Sequence, residues 1–186
     1  MKKFISLLII FLLCLSLVGC GGKSKTVADE NEWKALFSKE ALDNVSVRFS
    51  SDDGRMLTVI WVNGDVMKYN YAVTEGMSNL YYEYRDGTMY SYVLRNGKWI
   101  CDNVDLSSKG VTDIHSLLLY TTAISDLADR FSDATFKGGK YVIADNGGSI
   151  SVQLNDGKIK QITFADSATL KFTDYDKTTV ELPEID

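Results

Sequence analysis

Two textures alternate along the chain, and their order predicts its elements. From Asn44 to Val104 the sequence is dense in Val, Tyr, Trp, Ile and Thr, cut at short intervals by Asp53-Gly54, Asn63-Gly64, Asp86-Gly87 and Asn96-Gly97. β-Branched and aromatic residues suit a pleated, half-buried surface. Asn-Gly and Asp-Gly pairs supply the positive φ angles that tight hairpins need. The runs predict strands over 45–50, 56–62, 66–74, 80–85, 88–94 and 98–103, with Glu75-Gly76-Met77-Ser78 as a looser break. Consecutive hairpins make an antiparallel meander. The strand–helix–strand alternation of a parallel sheet is absent from the pattern.

Two stretches carry the helical period instead. Ile114, Leu117, Leu118, Thr121, Ile124, Leu127 and Phe131 recur three or four apart, which predicts one long helix over 112–131 with Thr112 or Asp113 as its cap. A shorter helix is expected over 29–38, capped by Asp29, with Trp33, Leu36 and Phe37 on the face that packs against a sheet. The last third returns to strands, expected at 141–144, 149–154, 158–165, 168–174 and 178–182, with Pro183 ending the last. The class is α+β, mainly antiparallel β, with about eleven strands forming a curved sheet.

Side-chain alternation adds chemistry to that outline. Leu57 to Val62 is apolar on both alternating sets, so this strand is expected to be covered on both faces. Elsewhere the alternating set is aromatic: Tyr69 and Tyr71, then Tyr82 and Tyr84, then Tyr90 and Tyr92. Tyrosine pairs a large apolar body with a polar tip, which suits the wall of a partly wet cavity. Cross-strand pairing that only stabilises the sheet accounts for the same pattern.

The first residues concern location. Met1-Lys2-Lys3 is basic, and Phe4 to Val18 is apolar but shorter than the ~20 residues a spanning helix needs. This is the build of a secretory leader. It ends Leu17-Val18-Gly19-Cys20, which resembles the lipobox of bacterial lipoproteins. The resemblance implies that residues 1–19 are removed and that Cys20 receives a diacylglycerol. Two acyl chains hold a protein firmly to a bilayer, where one does so only marginally. Residues 20–27 then read as acylated cysteine plus tether. The six residues 21–26 reach at most about 20 Å. The expected location is the cell envelope, lipid-anchored on the extracytoplasmic side of a bacterial membrane, with one domain over 28–186.

The remaining inventory narrows the function. The net charge is −5 for the whole chain, and Lys2 and Lys3 would leave with the leader, so nucleic acid is not an expected partner. Cys14 would leave and Cys20 would be acylated. Cys101 then has no disulfide partner and reads as a small buried hydrophobe. His115 is the single histidine and reads as a boundary residue of the helix. Metal-ligand spacing, a GxSxG elbow and a phosphate loop are all missing from the sequence. Asp52/Asp53, Asp102/Asp105 and Asp126/Asp129 read as turns or solvated faces, and Gly138-Gly139-Lys140 as a turn. The expectation is a protein that is not an enzyme and holds no metal or cofactor.

The lipobox, the entry helix, the meander, the mid-chain helix and the closing stretch Leu170-Lys171-Phe172-Thr173-Asp174-Tyr175 through Pro183 together resemble the LolA/LolB-like envelope lipoprotein superfamily, which includes the LppX/LprG-type proteins. That resemblance implies an unclosed half-barrel, lidded by the N-terminal helix and the long mid-chain helix, whose hollow holds acyl chains. The expected function is binding of a hydrophobic or amphipathic ligand, lipid or acyl chains, between sheet and helices. Candidate wall residues are Trp61, Tyr69, Tyr71, Tyr82, Tyr84, Leu118 and Phe131. The alternative is a cell-surface module with a solid core that binds a protein or glycan through outward-facing tyrosines.

Overall fold

The computed structural model describes residues 26–73 and 76–185. Residues 1–25, and with them Cys20 and the leader, lie outside the described residues. In chain order come α1 (Glu30–Ala35), α2 (Lys39–Leu42), β1 (Asn44–Ser50), β2 (Met56–Asn63), β3 (Val66–Val73), β4 (Gly76–Arg85), β5 (Thr88–Arg95) and β6 (Lys98–Asn103). Then follow α3 (Ile114–Thr121), β7 (Ala134–Lys137), β8 (Lys140–Asp145), β9 (Gly148–Asn155), β10 (Lys158–Thr163) and β11 (Thr169–Thr173).

All eleven strands form one antiparallel sheet in the order β6-β5-β4-β3-β2-β1-β11-β10-β9-β8-β7. Each half is a hairpin meander, and the two are joined where β1 pairs with β11, Ser46 facing Thr173 and Val47 facing Phe172. β6 and β7 are the free edges, so the sheet does not close. Open sheets beyond about ten strands curl rather than stay flat. The tight turns have the expected chemistry. At Asp86-Gly87, for example, φ is 53° and 78°, the pair of positive angles that a two-residue hairpin requires.

One face of the sheet carries the core. Val45 and Val47 of β1, Ile60 and Val62 of β2, Met67 of β3, Val152 of β9, Ile162 of β10 and Leu170 of β11 join Trp33, Phe37, Ile114 and Leu118 of the helical segments in one buried cluster. The inward set of β2 is therefore Thr58, Ile60 and Val62, while Val59 is buried on the outer face. On the outer face Leu57 and Trp61 are only half-buried, so the cover expected on both faces of this strand is complete on the inner face alone.

The helices are shorter than the sequence period suggests. The expected 29–38 helix is helical only over Glu30–Ala35, and α2 is an additional helix that begins after its expected end. Asp29 caps the first by accepting the Asn31 and Glu32 N–H groups at 2.9 Å. Ser38 starts the second by accepting the N–H of Ala41 at 3.3 Å. A serine that offers its oxygen to the backbone favours a new start over continuation.

The long helix over 112–131 is likewise corrected. It is helical only over Ile114–Thr121, followed by short 3-10 turns at Leu127–Asp129 and Phe131–Asp133. Its start is a reciprocal cap, with Asp113 accepting the Ser116 N–H at 2.7 Å and the Asp113 N–H donating to the Ser116 hydroxyl at 3.0 Å. Partial burial acts to raise the Asp113 pKa, but the bonds from Ser116 outweigh it and hold the carboxyl below its usual range. The end is a Schellman turn. Ala123 takes a φ of 55°, its N–H reaches Tyr120 O at 3.2 Å, and the Ile124 N–H reaches Leu119 O at 3.1 Å.

Three strand expectations also change. The break expected at Glu75–Ser78 is shorter, because β4 begins at Gly76, which pairs with Val73. β7 is an extra strand, short and mostly exposed, formed by folding back at Gly138-Gly139. The stretch 178–182 joins no ladder. Its start is tied to the sheet by Asn44, whose side chain accepts the Thr178 N–H at 2.7 Å and donates to Thr178 O at 2.9 Å. The total of eleven strands thus agrees with the expectation only because one strand replaces another.

Candidate functional site

The cleft of interest lies at the end of the sheet where β1, β3 and β10 finish and β2 and β11 begin. There inward side chains of four strands, β1, β2, β3 and β11, line a space beside the end of α3. Phe49, Ile60, Tyr69 and Leu170 line the floor, and Phe164, Ala165 and Ala168 of the β10–β11 connection form one wall. Thr121, Thr122 and Ala123 close the opposite side. The cleft is half open, and its volume is about 420 Å³, within the ordinary range of small-molecule sites, roughly 300–1,000 Å³.

Local sequence explains why the space exists. Had the helix continued past Thr121, its next turn would have run on along the sheet. Thr121 and Thr122 instead donate their hydroxyls back to Leu117 O and Leu118 O, at 2.8 and 2.7 Å, and the chain turns away at Ala123. Small residues hold the wall close. A Cβ built on Gly148, at the start of β9, would lie 2.8 Å from Ala165 Cβ, so the β8–β9 hairpin and the β10–β11 connection touch at this point.

Two carboxylates stand at the rim, Asp145 and Asp166. Asp145 faces the Arg130 guanidinium at 3.4 Å. Asp166 accepts the Ala168 N–H at 3.0 Å and makes no ion pair among the described residues. The lining contains no lysine and no arginine.

The seven candidate wall residues do not form one wall. Tyr69 lines the cleft. Tyr71 sits beside it, ring centroids 5.7 Å apart. Tyr82 is on the same face, and burial pushes its hydroxyl pKa up, with Tyr69 and Tyr71 adding to the shift. Tyr84 is partly buried against the core, nearer the opposite end of the sheet. Leu118 is fully buried in the core. Phe131 packs on Trp33, centroids 6.0 Å apart, and serves to hold α1. Trp61 must be removed from the group. It belongs to the outward set of β2 with Leu57 and Val59, and Lys68 of β3 lies 5.2 Å from its ring centroid on the outer face.

That outer face is aromatic over β2–β6. Lys68 also lies 5.6 Å from the Tyr81 ring, and Tyr81 meets Trp99 edge-on at 5.3 Å. Tyr92 is buried there and donates its hydroxyl to Glu83 at 2.6 Å. Its pKa is raised, first by burial and then by its bonds to Glu83 and Cys101. His115 is a structural boundary residue whose Nε2 donates to Phe37 O at 2.8 Å, tying α3 to the segment after α1.

Phe49, Phe164, Leu170 and the Thr121–Ala123 turn were not singled out by sequence. Phe49 and Leu170 carry an inward alternation that could have identified them. The turn at Ala123 carries no such signal, because alanine is a helix former. Among the described residues no group of histidine, cysteine and acidic side chains is arranged to hold a metal ion, and no helix is long and apolar enough to cross a membrane. No protein-family model matches the chain, and no curated protein matches it.

Proposed function

We propose that the protein is a lipid-anchored envelope lipoprotein, of a LolA-like half-barrel kind, that binds one hydrophobic or amphipathic molecule in the cleft beside α3. The observation that carries the reading is the cleft itself: about 420 Å³ of space at an open sheet end, floored by Phe49, Ile60, Tyr69 and Leu170. The leader pattern ending at Cys20 supports the anchor, and the short segment after it supports work close to a bilayer.

The mechanism is burial. Each methylene removed from water contributes about 0.8 kcal/mol. A chain burying eight methylenes gains roughly 6 kcal/mol before the cost of immobilising it. No covalent step is required, and an enzymatic role is not part of the proposal.

A second reading is favoured by the outer face, where Trp61, Lys68, Tyr81 and Trp99 form a contiguous array suited to a protein or glycan surface. Native mass spectrometry separates the two. The stretch starting at residue 21, which contains every strand and core residue described here, is purified without detergent and sprayed intact. A co-purifying mass in the lipid range, released on denaturation, is expected. A clean apo mass that stays unchanged after incubation with membrane lipids refutes the cleft reading and shifts attention to the outer face.

A further inference from the structure

The charged groups lining the cleft are all of one sign, and the hydroxyls of Thr58 and Tyr69 add neutral groups that can donate or accept. Thr121 and Thr122 have their hydroxyl hydrogens committed to Leu117 O and Leu118 O, so they offer only lone pairs outward. Asp145 and Asp166 are acceptors carrying negative charge. The C-terminal end of α3, the negative end of its dipole, borders the same space at Thr121–Ala123.

The cation paired with Asp145 is already engaged. Arg130 donates through Nη2 to Ala144 O, through Nη1 to Asp145 at 3.4 Å, and its Nε lies 3.6 Å from Asp133. It is absent from the cleft lining. Asp166 has no cation against it among the described residues. A phosphate or carboxylate head at this rim would meet two carboxylates and a helix C-terminus without an N–H donor from a charged side chain. An ammonium head would meet its complement.

From this we infer that the cleft selects a single-chain amphiphile with a positively charged amine or quaternary ammonium head over an anionic one, Asp145 and Asp166 holding the head while the chain lies on Phe49, Ile60, Tyr69 and Leu170. The inference rests on the proposed cleft reading and names the ligand class for that site.

The probes are dodecylammonium and dodecanoate, equal in chain length and used below micelle-forming concentrations at pH 7. Isothermal titration calorimetry compares the parent with Asp166→Asn, Asp145→Asn and the double variant. Asparagine keeps the oxygen that accepts the Ala168 N–H, so it removes the charge and leaves the turn. The parent should bind dodecylammonium about tenfold more tightly at low salt. Each substitution should weaken that binding up to about fivefold, the upper range for one exposed ion pair. The double variant should bring the two probes close to parity, and added salt should narrow the parent's preference.

Equal or tighter binding of dodecanoate overturns the charge selection while leaving the cleft reading intact. A cation preference that the double variant retains overturns the assignment to these two carboxylates, since the overall charge of −5 would then account for it. Binding of neither probe overturns the cleft reading and this inference together.

Discussion

Gly148→Ala tests the contact that shapes the cleft. The added Cβ would lie 2.8 Å from Ala165 Cβ, 3.3 Å from Ala165 Cα and 3.4 Å from Ala165 O. All three atoms belong to or hang directly on the backbone, so no side-chain rotation relieves the overlap. The β8–β9 hairpin or the β10–β11 connection must shift. Overpacking of this kind costs about 1–3 kcal/mol. Replacing glycine by alanine also stiffens the unfolded chain, returning about 0.4–1 kcal/mol where the backbone tolerates it. The net expectation is roughly 1–2 kcal/mol of destabilisation, or a fall in Tm of about 2–8 °C for a domain of this size. Urea unfolding measures it directly. The cycle with Ala165→Gly decides the cause. Removing the opposing Cβ should recover about 1 kcal/mol relative to the sum of the single changes. A Gly148→Ala protein within about 0.5 kcal/mol of the parent, or a strictly additive double variant, would refute the contact and with it the described wall of the cleft.

Three further outcomes follow from the helices. Ala123→Gly should stabilise the protein by about 1 kcal/mol in urea unfolding, because Ala123 holds a left-handed angle that glycine adopts without strain. Trp33→Phe should cost about 0.5–1.5 kcal/mol for the hydrogen bond alone, since the Trp33 Nε1–H donates at 2.8 Å to Leu127 O, which would keep only the Arg130 N–H at 3.2 Å; a thermal melt reads the loss. The folded pKa of Asp113 is lowered, so its stabilising contribution is complete above the unfolded value of about 3.9 and is lost as pH falls through the folded value. Asp113→Asn lacks this titration, so the stability gap between parent and variant should shrink on acidification below about pH 4, measured as Tm against pH.

The sheet was largely legible because its signals are local. Asp86-Gly87, Asn96-Gly97 and Asp156-Gly157 mark turns by chemistry, and the alternation of Val45, Val47 and Phe49 marks a face. The helix end was not legible. Ile124, Leu127 and Phe131 continue the apolar period of α3, and their burial or partial burial is real. The chain reaches those positions by a left-handed turn and two 3-10 turns rather than by helix, and burial periodicity alone does not distinguish the routes. β7 escaped notice because Ala134–Lys137 is short and mostly exposed. Of the candidate site, Tyr69 was found by alternation. Trp61 was misplaced because both sets of β2 are apolar, so the sequence does not say which one faces the helices. The wall near Gly148 depends on two segments meeting in space, and a one-dimensional pattern cannot show that.

The pairing of β1 with β11 joins the first strand of the sheet to the last. Every other pairing closes a hairpin and can form while its residues are still near one another along the chain. This one must close a loop that contains nearly the whole domain, and such non-local contacts slow folding. During synthesis the N-terminal meander therefore waits with the β1 edge bare, and the C-terminal meander waits with β10 bare until β11 arrives. A chain stopped short of Thr169 would keep four open strand edges where the finished sheet has two, and open edges recruit other chains. The last described strand is thus the step that removes two of them, and folding kinetics should be most sensitive to changes at the seam of Ser46, Arg48, Lys171 and Thr173.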